Sequence, residues 1–278
     1  MNRFLEAGEN YDDVKAVNWS SLKHILTSPR HYRAALAKNR SDEESTPAMQ
    51  FGVAFHCAML EADRFREEFV SVPDFGNLQT KAARAERDAW MVCHRGRPRV
   101  ADKDRDRIRH MLRCVYDEAP AAELLAQTTA REVGAVWADE ATGILCKGRI
   151  DALTPSHVLD VKTAQSVDPG PFSQRAARYM YHAQLAFYVD GVRAVTGQDR
   201  AATIIAVESS VPFDCAVFEL DEDTLNAGRD MYAKALRLLQ QCQQEARWPG
   251  VGGGIALPFR LPAWAINSDD DLSELGLE

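Results

Sequence analysis

Polar and apolar residues alternate through the middle of the chain in three runs, at 132–138, 144–153 and 156–163. A period of two is typical of β-strands that turn one face toward a core. Only short breaks separate the runs, so each strand can return beside the one before it. The pattern therefore predicts a three-stranded meander within one sheet.

Apolar residues at helical spacing surround this meander. We expect an α/β protein whose sheet is flanked by helices and preceded by a helical N-terminal region. In chain order, the predicted elements outside the meander are helices at 18–28, at 47–61 and after Pro169-Gly170-Pro171, strands at 203–209 and 215–220, and a long helix at 221–246.

The composition fits one ordinary hydrophobic core. The chain has 278 residues, of which 46% are hydrophobic and 27% are charged. No apolar run is long enough to cross a bilayer, and the N-terminus carries no visible secretory signal. Six scattered cysteines form no Cys-x-x-Cys pair, so a disulfide framework is not expected. We interpret the chain as a cytoplasmic protein of a bacterial or phage-infected cell, with no membrane partner.

The net charge of −8 restricts any function on nucleic acid, because duplex affinity depends on Lys and Arg near the phosphates. Basic residues would have to collect on one surface. Arg95, Arg97 and Arg99 form the best candidate for a phosphate-tracking loop, because no acid lies among residues 95–99. The alternative, a solvated basic face, stays open for such a run.

Asp151 ends the second strand of the meander, and Asp160 and Lys162 lie on the third. In a strand, residues 160 and 162 share one face. Two carboxylates suit Mg²⁺ or Mn²⁺, and a lysine beside them could orient or deprotonate a water and offset charge in a phosphodiester transition state. The alternative is a turn in which Asp151 accepts from backbone donors.

Gln184 and Tyr188 lie one turn apart on the helix predicted after the proline-rich break. Together with the preceding motifs, they give the chain a resemblance to the PD-(D/E)xK nuclease superfamily, and within it to the RecE-type exodeoxyribonuclease VIII and lambda-exonuclease-like branch. The residues that carry the resemblance are Gly143-Ile144-Leu145-Cys146, Arg149-x-Asp151, Asp160-Val161-Lys162-Thr163, Tyr181-His182-x-Gln184-x-x-Phe187-Tyr188, the upstream segment 51–61, Trp248-Pro249 and 261–265.

The resemblance implies a restriction-endonuclease-like core with a central mixed sheet. It places one nuclease domain at 1–266, with a helical N-terminal part at about 18–127 and the catalytic sheet and its flanking helices at about 130–247. Residues 267–278 would be an acidic tail.

The resemblance also implies a divalent-metal site and its chemistry. His56, Asp151, Asp160 and the carbonyl of Val161 would hold Mg²⁺, with Mn²⁺ able to substitute. Lys162 would act on the attacking water, and Gln184 and Tyr188 would position these groups and contact the DNA backbone. Glu132 could reach the metal through water, or be a plain surface residue. No iron–sulfur cluster is expected, because no group of closely spaced cysteines lies near Cys242.

The implied activity is processive 5′ to 3′ degradation of linear double-stranded DNA from its ends, which leaves 3′ single strands for phage-type recombination. Expected partners are a single-strand annealing protein and further copies of the chain in a closed ring, as a trimer or tetramer. The alternatives are another PD-(D/E)xK DNA endonuclease or repair nuclease, or a nuclease-fold module that only binds DNA.

Two further groups of DNA contacts are predicted. By resemblance, Ser20 and Arg30 would hold the 5′-phosphate, although a helix cap and a solvated charge explain them equally well. Lys147 and Arg149, on the second strand of the meander, are additional candidates for phosphate contacts.

Overall fold

The computed structural model describes residues 2–38 and 46–262. The acidic tail at 267–278, part of the C-terminal motif at 261–265 and most of the polar stretch before Pro47 lie outside these ranges. None of the helices within them is both long and apolar enough to cross a membrane.

A mixed sheet of six strands forms the centre of the fold, in the order β1-β4-β5-β6-β7-β8. A small parallel pair, β2 with β3, lies apart from it and was not predicted from the sequence. The strands are β1 Arg3–Phe4, β2 Val70–Val72, β3 Arg99–Ala101, β4 Ala130–Ala138, β5 Leu145–Leu153, β6 His157–Ala164, β7 Ala201–Glu208 and β8 Cys215–Glu219.

The predicted meander is confirmed as β4, β5 and β6, which are antiparallel neighbours. β6 then pairs in parallel with β7, which requires a crossover connection. Two helices, α8 (Pro169–Tyr179) and α9 (Tyr181–Thr196), supply the crossover. β6 therefore lies inside the sheet, with paired neighbours on both sides.

Helices cover both faces of this sheet, so the expected α/β class with a restriction-endonuclease-like core is confirmed. Short 3₁₀ turns at Tyr11–Asp13 and Lys23–Leu26 accompany them. The α-helices are α1 Trp19–Leu22, α2 Pro29–Lys38, α3 Pro47–Leu60, α4 Ala62–Glu68, α5 Lys81–Cys93, α6 Asp102–Asp117, α7 Ala119–Ala126, α8 Pro169–Tyr179, α9 Tyr181–Thr196 and α10 Glu222–Gln244.

Two apolar clusters occupy the two faces of the sheet. Phe187 of α9 and Leu236 of α10 belong to the first cluster, together with Val158 of β6. Phe55 of α3 and Leu159 of β6 belong to the second. Alternate residues of β6 thus enter opposite cores, which fixes the register of the strand.

Gly228 lets α10 approach α9 closely. A Cβ atom at this position would lie 2.5 Å from the backbone oxygen of His182. We expect Gly228→Ala to lower the free energy of unfolding by about 1–3 kcal/mol, since the helices would have to separate. Gly52→Ala is the matched control, because a Cβ there meets no atom within 4 Å and should be neutral or mildly stabilising. Equal urea midpoints for the two variants would contradict this account.

Candidate active site

Asp160 is the buried carboxylate of the site, only 1% exposed. Lys162 Nζ donates to its Oδ1 at 2.7 Å, and Gln184 Nε2 donates to the same oxygen at 3.3 Å. The pKa of Asp160 is raised to about 6, chiefly by burial; Lys162 offsets part of this rise, and the nearby Asp151 adds to it. The carboxylate is therefore held in place but is costly to ionise without more positive charge nearby.

Lys162 is the basic partner, and the ring of Tyr181 lies 5.0 Å from its Nζ. Burial favours the neutral amine, yet Asp160 and Asp151 outweigh it and raise the pKa of Lys162. The side chain is accordingly an ammonium at neutral pH, suited to donating a hydrogen bond or offsetting negative charge. Orienting a water agrees better with this state than deprotonating one.

Asp151, Glu132 and His56 form a second group beside this pair. One potential ligand atom from each lies within 4.8 Å of the other two. His56 Nδ1 lies 3.7 Å from Asp151 Oδ2, which also accepts a hydrogen bond of 2.7 Å from the backbone N–H of Val161. A carboxylate of β5 is thereby fixed to the backbone of β6.

The strands are irregular where this group forms. Arg131 pairs with Ala152 and Val133 with Ile150, which places Glu132 opposite Asp151. Glu132 has a φ of 49°, in the left-handed region that non-glycine residues rarely adopt. Such strain costs on the order of 1–3 kcal/mol and concentrates at functional sites, so it supports a functional role for Glu132.

Glu132 also carries a perturbed carboxyl group. Burial, followed by the charges of Asp151 and Glu61, raises the pKa of Glu132 to about 7. A bound cation would relieve this crowding of carboxylates. Glu132 thus lies beside His56 and Asp151 as a further possible ligand.

The side chains of the site offer ligand atoms that fit a divalent cation. Asp160 Oδ2 lies 2.6 Å from Lys162 Nζ, but at an angle unsuited to a hydrogen bond, so this buried oxygen has no donor among the described residues. Carboxylate oxygens and one imidazole suit Mg²⁺ or Mn²⁺. Of the four predicted ligands, the structure groups His56 and Asp151 with Glu132 and places Asp160 with Lys162. The fourth, Val161, lies beside Asp151, to which its backbone N–H donates.

His56 can be tested apart from the carboxylates. We expect His56→Ala to weaken Mn²⁺ binding by roughly tenfold or more, because an imidazole ligand beside Asp151 is lost. Isothermal titration calorimetry on the folded variant measures this. His110→Ala, which removes an exposed histidine stacked on Phe213, should bind as the unaltered protein does; an equally small effect of both changes would exclude His56 as a ligand.

Gln184 and Tyr188 lie where the one-turn spacing placed them. Gln184 Nε2 donates to the phenol oxygen of Tyr188 at 3.2 Å as well as to Asp160. The ring of Tyr188 packs on Gly148, where a Cβ would lie 2.9 Å away. This arrangement positions Asp160 and holds α9 against β5.

Lys23 was missed by the sequence reasoning. It is half-buried, and its pKa is lowered first by burial and then by the charge of Lys162. No acidic partner of Lys23 occurs in the described part of the chain, so Lys23 adds an unpaired positive charge close enough to Lys162 to be felt there. Its position between Leu22 and His24 in a short 3₁₀ turn gives no sequence signal.

The predicted phosphate contacts occupy varied environments. Lys147 is buried, and its Nζ donates to the carbonyl oxygens of Tyr11 and Val14 at 2.8 and 2.9 Å. Arg149 stacks over the ring of Tyr11 at 4.5 Å. It lines a cavity of about 780 Å³ together with Glu132. Lys147 thus holds the N-terminal segment against β5, whereas Arg149 faces the cavity beside the site.

The two N-terminal candidates lie on the helical part that precedes the sheet. Ser20 Oγ donates to Asn18 at 3.0 Å, and Asn18, rather than Ser20, caps α1. Arg30 is exposed, and its guanidinium lies near Gly250. Neither residue contacts the carboxylates of the site.

The arginine-rich stretch is only partly a loop. Arg97 donates to the carbonyl oxygens of Glu67 and Glu68, and Arg99 begins β3. Arg95 is exposed. Pairing with β2, which the sequence pattern did not reveal, holds this stretch against α4.

Residues 18–258 match a family model described as a PDDEXK-like domain of unknown function, DUF3799. Among curated proteins, none matches the chain in sequence. A protein from Eubacterium rectale, whose structure is named as that of a candidate exonuclease, is 14% identical with a TM-score of 0.61, over 95% of this chain and 99% of that one. An alkaline exonuclease from Laribacter hongkongensis is 16% identical with a TM-score of 0.29, over 69% of this chain and 95% of that one. The likeness to the Eubacterium rectale structure shows that the two proteins share a fold.

Proposed function

We propose that this chain, which belongs to the PDDEXK-like domain family DUF3799, is a divalent-metal-dependent exonuclease that degrades linear double-stranded DNA. The observation that carries the proposal is the ion pair of the buried Asp160 and the partly buried Lys162, beside the group of His56, Glu132 and Asp151. Crowded carboxylates and a partly buried lysine are costly to fold, and metal-dependent phosphodiester hydrolysis uses both.

Each residue has a role in that reaction. Asp151, Asp160 and His56, with the Val161 carbonyl and Glu132, would hold one or two divalent cations, which supply charge to stabilise the departing oxyanion. Lys162, held by Asp160, orients the attacking water and donates to the phosphate. Gln184 and Tyr188 keep Asp160 in place, and Lys23 and Arg149 contact neighbouring phosphates.

Exonuclease action is the finer part of the proposal. The solved structure with the same fold is named as a candidate exonuclease, which supports it by analogy. By resemblance to the lambda-exonuclease-like branch, we further propose 5′ to 3′ processive degradation in the cytoplasm, a closed homo-oligomer around the duplex and a single-strand annealing protein as partner. Mg²⁺ is the proposed ion, with Mn²⁺ as a substitute.

The test uses linear duplex DNA labelled at either the 5′ or the 3′ end, with Mg²⁺ or Mn²⁺. We expect early release of the 5′ label, survival of the 3′-labelled strand until late in the reaction, and no activity in EDTA. Covalently closed circular duplex should remain intact. Asp151→Asn is the inactive control.

Other results discriminate between the alternatives. Cutting of the closed circle would identify an endonuclease, and early release of the 3′ label would reverse the proposed polarity. DNA binding without cleavage in either metal would leave a binding module and refute the enzyme.

A further inference from the structure

An apolar segment lies exposed after α10. Ile255, Leu257, Phe259 and Leu261 are 75%, 56%, 89% and 51% exposed, and none belongs to either core. They occupy alternate positions, so in an extended conformation they share one face. Exposed apolar residues in such a contiguous set are typical of interaction surfaces.

The prolines of this segment leave one hydrogen-bonding edge intact. In extended chain, the N–H groups of alternate residues point to the same edge. Pro258 and Pro262 fall in the set that alternates with the apolar residues. The segment can therefore pair along the edge used by the apolar residues, whereas the prolines interrupt the opposite edge.

A groove of about 420 Å³ offers a complementary surface between α8, α10 and β8. Its apolar lining includes Phe172, Ala176, Phe218 and Leu220. β8 ends the order of the six-stranded sheet, so its outer edge has no partner strand in the described part of the chain. The groove is thus apolar and runs beside a free sheet edge.

The charges of the two surfaces are also complementary. Glu219 and Asp221 line the groove, and both are exposed. Arg260 is exposed and is the single charged residue between Val251 and Pro262. A strand with its apolar face in the groove would bring this arginine near acidic residues.

The segment cannot reach the groove of its own chain without rearrangement. α10 contains 23 residues, or about 35 Å at 1.5 Å each, and separates the groove at its start from the segment after its end. Trp248 stacks on Tyr32 at 6.0 Å, and a turn at 250–255 keeps Ile255 close to this anchor. Four extended residues from Ile255 to Phe259 span only about 13 Å.

We propose that residues 255–262 of one copy of the chain dock into the groove between α8, α10 and β8 of a second copy. The contact is head-to-tail, so the copy that gives its segment keeps a free groove and the copy that gives its groove keeps a free segment, and repetition closes into a ring or extends as a filament. This specifies an interface for the closed homo-oligomer proposed above. Its test needs neither DNA nor metal, so it can fail while the nuclease proposal stands.

Sedimentation velocity over a wide concentration range tests the proposal. The unaltered protein should form assemblies larger than the monomer. Phe259→Asp on the segment and Ala227→Arg on the exposed wall of the groove should each give monomers. Val92→Asp, at an apolar site 68% exposed on α5, should assemble normally. A monomeric unaltered protein, or assembly that persists in both interface variants, would overturn the proposal.

Mixing the variants identifies the pairing. Phe259→Asp protein retains a working groove and Ala227→Arg protein a working segment, so an equimolar mixture should give heterodimers and nothing larger. Glu219→Arg and Arg260→Glu should each weaken assembly, and the double variant should restore it. No heterodimer in the mixture, or no restoration, would contradict the assigned contact.

Discussion

Lys162→Ala is expected to reduce cleavage of linear duplex by about 10²–10⁴-fold while DNA binding in Mg²⁺ is kept, because the lysine acts on the reacting groups rather than on the duplex at large. Single-turnover cleavage and a binding titration measure the two effects. Lys162→Met keeps more of the side-chain volume than Lys162→Ala and should lose activity equally. Lys234→Ala, which removes an exposed charge on α10, is the control.

The pH profile separates a chemical role of Lys162 from a structural one. Lys162 lowers the pKa of Asp160, which burial otherwise raises. Without the lysine, Asp160 should ionise at higher pH, and the residual activity of the variant should shift toward alkaline pH. Near-normal cleavage by a folded Lys162→Ala protein would show that the wrong residues have been assigned.

Glu132→Gln is expected to make the cation-free protein more stable at pH 8 while weakening cation binding by roughly 10–100-fold. The pKa of Glu132 is raised from 4.5 to about 7, chiefly by burial. The folded protein therefore keeps a proton that the unfolded chain has already lost between these values. This contribution to stability is complete below pH 4.5 and is lost as the pH rises through 7.

Thermal melting in EDTA from pH 5 to 8 measures this effect. The unaltered protein should lose stability as the pH rises, and Glu132→Gln should lose less. Its melting temperature should fall less, by roughly 2–4 °C for each ~1 kcal/mol of destabilisation that the substitution removes. Saturating Mg²⁺ should stabilise the unaltered protein most at high pH, since cation and proton compete. Glu140→Gln, at an exposed position between β4 and β5, is the matched control. Identical melting curves for Glu132→Gln and the unaltered protein would refute the raised pKa of Glu132.

Alternation was sufficient to predict the meander because β4, β5 and β6 follow one another as strands joined by short connections. It did not show that both faces of β6 are buried, in two separate cores. It was also sufficient to place Asp160 and Lys162 on one face of β6, and helical spacing placed Gln184 and Tyr188 together. These relations are local, so a period of two or of about four residues expresses them directly.

The role of Glu132 in the site could not be predicted from sequence periodicity. Its left-handed backbone depends on the strands that surround it, and a single glutamate in an alternating run gives no sign of strain. Lys147 shows the same limit, since its two carbonyl acceptors lie more than 130 residues away in sequence. The strand pairing that holds Arg99 and the hydrogen bonds that hold Arg97 are likewise long-range.

β5 and β6 share only two residue pairs, Ala152 with Leu159 and Leu153 with Val158, although both strands continue beyond them. Past these pairs, the bond between Asp151 and the backbone of Val161 takes over the connection. A cation on Asp151 and Asp160 would therefore clamp two strands that part from each other. Part of its binding free energy would appear as resistance of the sheet to local opening, and any motion that spreads the strands would in turn release the ion.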